Sequence, residues 1–100
     1  MKFVTINGDT AIIKVSGRFN LIQTAEMMPE VTQAFGVGVI RICVDFGETT
    51  YIDSCAIRDL VKLYRRVKPE NFEARNAKGD VYAALYAAKL DELWHLPDPR

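Results

Sequence analysis

The stretch VGVIRICVDFGETTYIDSCAIRDLVKLYRRV, residues 37–67, is the part of the chain that decides its fold. It begins with a nearly continuous run of β-branched and apolar residues ending near Asp45, typical of a central strand covered on both faces. Further on, apolar side chains recur three, four, seven and ten residues after Ile57, which is the spacing of one helical face. The intervening GETTY is interpreted as a loop. The stretch therefore predicts a strand, a loop and an amphipathic helix over residues 54–67.

The segments before this stretch predict a hairpin and a helix. Two short runs rich in Val and Ile within residues 3–15 are separated by Asn7 and Gly8, which tolerate the positive φ of a tight turn. The apolar residues of 24–35 share one helical face. Pro29 has no backbone N–H, so it either begins the regular helix or kinks it.

The segments after it predict one more strand and one more helical region. NFEARNA, residues 71–77, alternates like a short strand, and residues 79–96 carry apolar side chains at helical spacing. The order β-β-α-β-α-β-α favours parallel pairing with right-handed crossovers, and the opening hairpin adds an antiparallel edge. The sequence thus predicts the α/β class, with a mixed, mostly parallel sheet of four to five strands and helices chiefly on one face.

Length and composition limit the kinds of protein this chain can be. One hundred residues correspond to one domain, 1–100, of which residues 96–100 are a short tail. The 13 basic and 13 acidic side chains balance, so no overall field attracts nucleic acid. No apolar run approaches the roughly 18 residues of a membrane span, and two cysteines indicate a reducing, cytoplasmic setting. With one histidine besides, neither a metal site nor a cofactor is expected.

The order of several short motifs resembles the STAS domain family, named for sulphate transporters and anti-sigma factor antagonists. The landmarks are Ile-x-Val-x-Gly-Arg-Phe at residues 13–19, the strand with Asp45 at its end, YIDS at residues 51–54 and LDELWHL at residues 90–96. The Asp-Ser step after an apolar strand and a loop is the most specific of them. The resemblance covers essentially the whole chain and implies the fold predicted above.

In that family, the serine or threonine after the aspartate is commonly phosphorylated by a kinase that is itself an anti-sigma factor. The resemblance therefore implies phosphorylation at Ser54, with Asp53 and Cys55 adjacent to the switch. It implies an anti-sigma factor with serine kinase activity as the partner, and leaves a phosphatase and a homo-oligomer open. Family members usually continue with Ser or Thr, Gly, a branched apolar residue and Gly, whereas here Ala56 and Arg58 replace both glycines.

The Asp53-Ser54 step has two interpretations because it stands at a helix start. In the structural one, a side-chain oxygen accepts a hydrogen bond from a free helix amide, which stabilises the helix by ~1 kcal/mol. In the functional one, a phosphate on Ser54 adds about −1.5 to −2 charges, which the positive end of a helix accommodates. In a protein contact, the same charge meets a desolvation cost and any acidic partner surface. The fold then tolerates the modification while binding does not.

The outer face of the helix after Ser54 is predicted to be mostly basic. The residues assigned to it are Arg58, Asp59, Lys62, Arg65 and Arg66. One interpretation is a solvated helix face, and the other is a contact surface for an acidic partner formed by its four cations. Four cations without interleaved aromatic residues do not indicate nucleic-acid binding.

The favoured hypothesis is an anti-sigma factor antagonist that binds its partner and releases it when Ser54 is phosphorylated. The alternative is a non-switching scaffold or a regulatory subunit of a signalling complex or of a transporter ATPase, towards which the missing glycines lean. Enzyme activity is not expected, because a nucleophilic Ser54 needs a positioned base and the one histidine, His95, stands near the C-terminal end. An unaided hydrolase is therefore the least favoured hypothesis.

Overall fold

The computed structural model describes residues 1–99. The strands are β1 (Val4–Asn7), β2 (Thr10–Lys14), β3 (Gly17–Phe19), β4 (Arg41–Asp45), β5 (Thr49–Ile52) and β6 (Phe72–Arg75). The helices are α1 (Leu21–Gly36), α2 (Ser54–Arg66), α3 (Gly79–Ala87) and α4 (Leu90–Leu93), with a short 3-10 turn at Pro69–Asn71. These elements contain the predicted β-β-α-β-α-β-α order, with β3 and β5 added and the last helical region divided in two.

Four strands form the main sheet in the spatial order β1-β2-β4-β6. β1 pairs antiparallel with β2 across a tight turn in which Gly8 has a φ of 63°, a conformation that glycine adopts without steric cost. β2, β4 and β6 run parallel, so that Val44 lies between Ile13 and Ala74 in the register. The predicted mixed, mostly parallel sheet is confirmed, with four strands.

A second, two-stranded sheet pairs β3 with β5 in parallel. The prediction of a loop at GETTY is wrong in this part, because Thr49–Ile52 is a strand. Threonine, tyrosine and isoleucine favour strands, and pairing with Gly17–Phe19 supplies the backbone partners. Thr49 is buried, and its Oγ1 donates to the carbonyl of Val15 at 2.6 Å, which joins the small sheet to the end of β2.

The hydrophobic core lies against one face of the main sheet. Its rows of buried side chains are Val4, Ile13, Val44 and Ala74, and then Ala11, Ile42 and Phe72. Exposed side chains on the opposite face include Thr5, Lys14, Arg41, Glu73 and Arg75. Such alternation is typical of a sheet with one face covered. The central β4 departs from it, because Cys43 on the opposite face is also buried, so the predicted burial on both faces holds at this residue and not for the strand as a whole. The placement of the helices chiefly on one face stays a prediction.

Helix α2 buries a face that is rotated from the one that its apolar spacing predicts, with Leu60 common to both. The fully enclosed residues are Ala56, Leu60 and Leu63. Ile57, Val61, Tyr64 and Val67, which the periodicity assigns to the buried face, are only partly buried beside the core. Neighbouring elements, among them α1, decide which positions are enclosed, and a small residue such as Ala56 contributes little to an apolar pattern.

Helix α1 begins at Leu21, three residues before the predicted start at residue 24. Asn20 caps it, because its Oδ1 accepts a hydrogen bond from the amide of Ile22 at 2.9 Å. Gln23 Oε1 accepts in return from the amide of Asn20 at 3.3 Å, which completes a capping box. Pro29 lies inside the helix and does not begin it.

The first residue of the predicted C-terminal tail packs against the domain. Of the predicted tail, residues 96–100, Leu96 is buried and its amide donates to the carbonyl of Asp91 at 2.7 Å. Arg100 lies outside the described residues. Within residues 1–99, none of the helices has both the length and the apolar character needed to cross a bilayer.

Asp45 ends β4 in surroundings that lower the pKa of its carboxyl. Burial by itself raises this pKa, but opposing interactions outweigh it. Oδ1 accepts hydrogen bonds from Asn76 Nδ2 and from the amide of Gly47, each at 2.9 Å, and the charges of Lys14 and Arg75 act in the same direction. The ionised carboxylate therefore stabilises the folded state.

We expect this carboxylate to contribute to the acid dependence of stability. Its folded-state pKa lies below the unfolded value of about 3.9, so its contribution is present above that value and is lost as the pH falls through the folded pKa. Asp45→Asn should make the decline in the free energy of unfolding below pH ~4 shallower than in the wild type. Urea unfolding at several pH values measures this, with the exposed Glu92→Gln as control. Equal slopes in both variants would contradict the assignment.

Candidate functional site

The two strands of the small sheet bring two helix starts to one place. β3 and β5 run parallel and pair up to their carboxyl ends. One residue follows each strand, Asn20 or Asp53, and then α1 begins at Leu21 and α2 at Ser54. Because parallel strands end at the same edge of a sheet, the N-termini of both helices lie side by side.

The carboxylate of Asp53 connects these two helix starts. Oδ1 accepts a hydrogen bond from the amide of Ala56 at 2.9 Å, which caps α2. Oδ2 accepts from the amide of Leu21, the first residue of α1, at 3.1 Å. The backbone amide of Asp53 donates to the carbonyl of Phe19 at 3.1 Å, which ties the residue to β3. Asp53 is therefore a structural residue that satisfies amides of both helices.

Ser54 is the first residue of α2 and is exposed. The cap of this helix is Asp53, so the structural interpretation of the Asp-Ser step applies to the aspartate and not to the serine. Among residues 1–99, no side chain or backbone group accepts a hydrogen bond from the Ser54 hydroxyl. The hydroxyl thus lies in solvent at the positive end of the helix, and the folded state does not depend on it.

The two residues that replace the family's glycines differ in exposure. Ala56 is fully buried, and its amide is the one that Asp53 caps. Arg58 is exposed one turn after Ser54. Cys55 is a free, partly buried thiol next to the serine. Of the two replacements, only Arg58 changes the surface chemistry beside Ser54.

Ser54 lies on the same side of α2 as three of the four cations predicted to contact a partner. Arg58, Lys62 and Arg65 follow it by 4, 8 and 11 residues, and all three are exposed. We call Arg58, Lys62 and Arg65 the basic stripe. Arg58 Nε and Lys62 Nζ lie 3.7 and 3.8 Å from Asp59 Oδ1. Asp59 is only 13% exposed, whereas the side chains of Arg58 and Lys62 are 59% and 60% exposed, so both cations still face solvent.

Asp59 and Arg66 do not belong to the basic stripe. Asp59 Oδ2 accepts a hydrogen bond of 2.9 Å from Oγ1 of Thr24, which is buried in α1. Its carboxylate therefore takes part in the contact between α1 and α2, and the prediction that it lies on the outer face is corrected. Arg66 lies at the far end of α2, with its Cζ 4.4 Å from the ring centre of Phe35 in α1.

Three exposed apolar side chains at this edge escape the sequence reasoning. Leu21 is 55%, Ile22 is 65% and Tyr51 is 48% exposed, and the first two begin the helix that Asp53 contacts. We call Leu21, Ile22 and Tyr51 the apolar patch. The sequence reasoning missed these positions because it predicted a loop at GETTY and a helix that begins at residue 24. The capping box that begins at Asn20 could have indicated the helix start at Leu21 and Ile22. Leu21 and Ile22 are adjacent in the chain, and Tyr51 lies two residues before Asp53, whose carboxylate accepts from the amide of Leu21. Exposed apolar side chains that form a patch are typical of interaction sites.

This edge of the domain combines hydroxyl, cationic and apolar side chains. The exposed Ser54 hydroxyl and the apolar patch lie near the two helix starts that Asp53 connects, and the basic stripe runs from Arg58 along α2. In the part of the chain from residue 1 to residue 99, no group of three or more His, Cys, Asp or Glu side chains is placed to hold a metal ion. Within residues 1–99, the Ser54 hydroxyl has no hydrogen-bonded base that would activate it as a nucleophile.

Comparison with known families gives one match to nearly the whole chain. A family model described as the STAS domain matches residues 2–98. The comparison with curated proteins returns no match.

Solved structures share the fold at low sequence identity. An anti-sigma factor antagonist from Mycobacterium paratuberculosis aligns with a TM-score of 0.79 and 14% identity, covering 98% of this chain and 84% of its own. A putative anti-sigma factor antagonist from Thermotoga maritima aligns with a TM-score of 0.80 and 17% identity, covering 95% and 84%. The anti-sigma factor antagonist SpoIIAA in its unphosphorylated form aligns with a TM-score of 0.72 and 14% identity, covering 96% of this chain and 86% of its own. At these identities the likeness is one of fold.

Proposed function

This chain belongs to the STAS domain family and has the fold of anti-sigma factor antagonists, and we propose that it is a protein-binding module controlled by phosphorylation of Ser54. The proposed partner is an anti-sigma factor that is also a serine kinase, and a phosphatase restores the unmodified form. The proposed setting is the cytoplasm, and the output is regulation of transcription. We propose that the chain acts by binding and does not catalyse a reaction itself.

The observation that carries the proposal is the division of roles between Asp53 and Ser54. Asp53 makes the hydrogen bonds that hold both helix starts, whereas the Ser54 hydroxyl is exposed and has no hydrogen-bond partner within residues 1–99. A phosphate on Ser54 would lie at the positive end of α2, which accommodates an anion. The domain can therefore carry the modification without losing its structure.

The surroundings of Ser54 give the reason why a phosphate would weaken a contact. The apolar patch supplies the area that a partner buries, and a phosphate beside it would have to lose its hydration on binding. The basic stripe supplies cations for an acidic partner, and a phosphate four residues before Arg58 can pair with that guanidinium instead. Both effects act against the same interface. Arg58 thus strengthens the switch at a position where the family has glycine.

We expect a negative charge at position 54 to weaken binding of the partner by at least tenfold, or about 1.4 kcal/mol. The test is titration calorimetry of the wild type, Ser54→Ala and Ser54→Asp with a cognate anti-sigma factor that has serine kinase activity. Gln33→Glu adds the same charge at an exposed position of α1 and serves as the control. Unfolding temperatures of all variants should agree within a few degrees.

The modification itself is tested by intact mass after incubation with that kinase and ATP. Addition of one phosphate to the wild type but not to Ser54→Ala is the expected result. Absence of the addition, or equal partner affinity in Ser54→Asp and the wild type, would overturn the proposal. Recovery of the chain in a large homo-assembly or with an ATPase, without phosphorylation, would favour the scaffold or regulatory-subunit alternative.

A further inference from the structure

A groove lies at the end of α1 and α2 that is remote from Ser54. It has a volume of about 420 Å³. The residues that line it are Phe35, Val39, Ile40, Arg66, Val67, Lys68 and Asn71. Arg66 follows Ser54 by twelve positions in α2, which corresponds to about 18 Å along the helix axis. The groove is therefore a different surface from the one discussed above.

The walls of this groove are apolar and partly open to solvent. Ile40 is 51% exposed although it lines a concave surface, and the nearby Val37 is 69% exposed. Phe35 and Val67 are partly buried and pack against the core, so they form a fixed wall. The concavity can accept an apolar side chain from another molecule, which would remove Ile40 from water.

The rim of the groove is basic and unneutralised. Arg66 and Lys68 line the groove at the end of α2, and in residues 1–99 neither of them has a carboxylate within 4.0 Å. The guanidinium of Arg66 is held over the ring of Phe35 at 4.4 Å, so one cation is already positioned at the apolar wall. An arrangement of this kind is complementary to carboxylates that flank an apolar residue.

We propose that this groove docks a short acidic segment of a partner protein, with one apolar side chain inserted between Ile40 and the wall formed by Phe35 and Val67. The concave shape favours an inserted side chain over a membrane surface, which would require a protruding apolar face. The groove lies about 18 Å from Ser54, beyond the screening length of about 8 Å at physiological salt. Docking there does not rest on the proposed phosphorylation and should be insensitive to it.

The test is an NMR titration of the ¹⁵N-labelled full chain with synthetic peptides. The probe is a twelve-residue acidic peptide with a central Leu-Phe pair, and its controls are the same peptide with Ser-Ser at the centre and with every acid changed to Lys. We expect shift changes confined to residues 35–40 and 65–71. Both control peptides should bind at least about fivefold more weakly than the probe. The same affinity is expected for the Ser54→Asp chain.

Variants of the groove make the test specific. Lys68→Glu and Ile40→Ser change exposed or half-exposed positions, and each should weaken binding of the peptide at least about threefold. Lys78→Glu, at an exposed position outside the groove, should leave the affinity unchanged. No localised shift at millimolar peptide, equal binding of the lysine peptide, or loss of affinity in Lys78→Glu would overturn the proposal. So would cosedimentation with anionic vesicles that depends on Lys68 while the acidic peptide does not bind.

Discussion

Replacing Leu63 with alanine should lower the free energy of unfolding by about 2–5 kcal/mol, because the side chain is fully enclosed and its removal leaves a cavity. Val61 stands two residues earlier on the same helix but is only partly buried. Val61→Ala should therefore cost about 1 kcal/mol. The pair compares Leu63, which is enclosed in the structure but absent from the predicted apolar face, with Val61, which belongs to the predicted face.

Urea unfolding followed by circular dichroism measures both free energies on chains that differ by one side chain. The slope of the unfolding free energy against urea should stay the same, so that the midpoint alone reports the change. A larger loss for Val61→Ala than for Leu63→Ala would mean that α2 is rotated relative to the arrangement described here.

The second large effect is expected at the shared cap. Asp53→Ala removes the acceptors for the amides of Ala56 and Leu21 and should lower the free energy of unfolding by about 2–3 kcal/mol, more than a single cap contributes. Ser54→Ala should change it by no more than about 0.5 kcal/mol, because that side chain is exposed and unbonded within residues 1–99.

Asp53→Asn is the matched control for this comparison. It keeps one carbonyl oxygen that can cap α2 but loses the second acceptor that reaches Leu21, so its cost should fall between the other two. Chemical denaturation of the three variants gives the order. If Ser54→Ala proved as costly as Asp53→Ala, the serine would be a structural residue, and a phosphate there would unfold the domain instead of regulating it.

Local patterns in the sequence determined the fold class, the order of the main strands and helices, the hairpin at Gly8 and the position of the Asp-Ser step. Each depends on neighbouring residues: alternation or helical spacing, a glycine in a turn, and a cap residue before a helix. The motifs that resemble the STAS family are of the same local kind, and the family match over residues 2–98 confirms them.

The tertiary structure alone decided the strand at Thr49–Ile52, the buried face of α2 and the role of Asp53. These features require partners distant in the chain: β5 pairs with β3, and Asp53 accepts from the amide of Leu21, 32 residues away. A short run of threonines has no periodicity of its own to distinguish a strand from a loop. The cap that Asp53 forms with Ala56 is local, but its second hydrogen bond depends on where α1 begins, and contacts of that range leave no local pattern in the sequence.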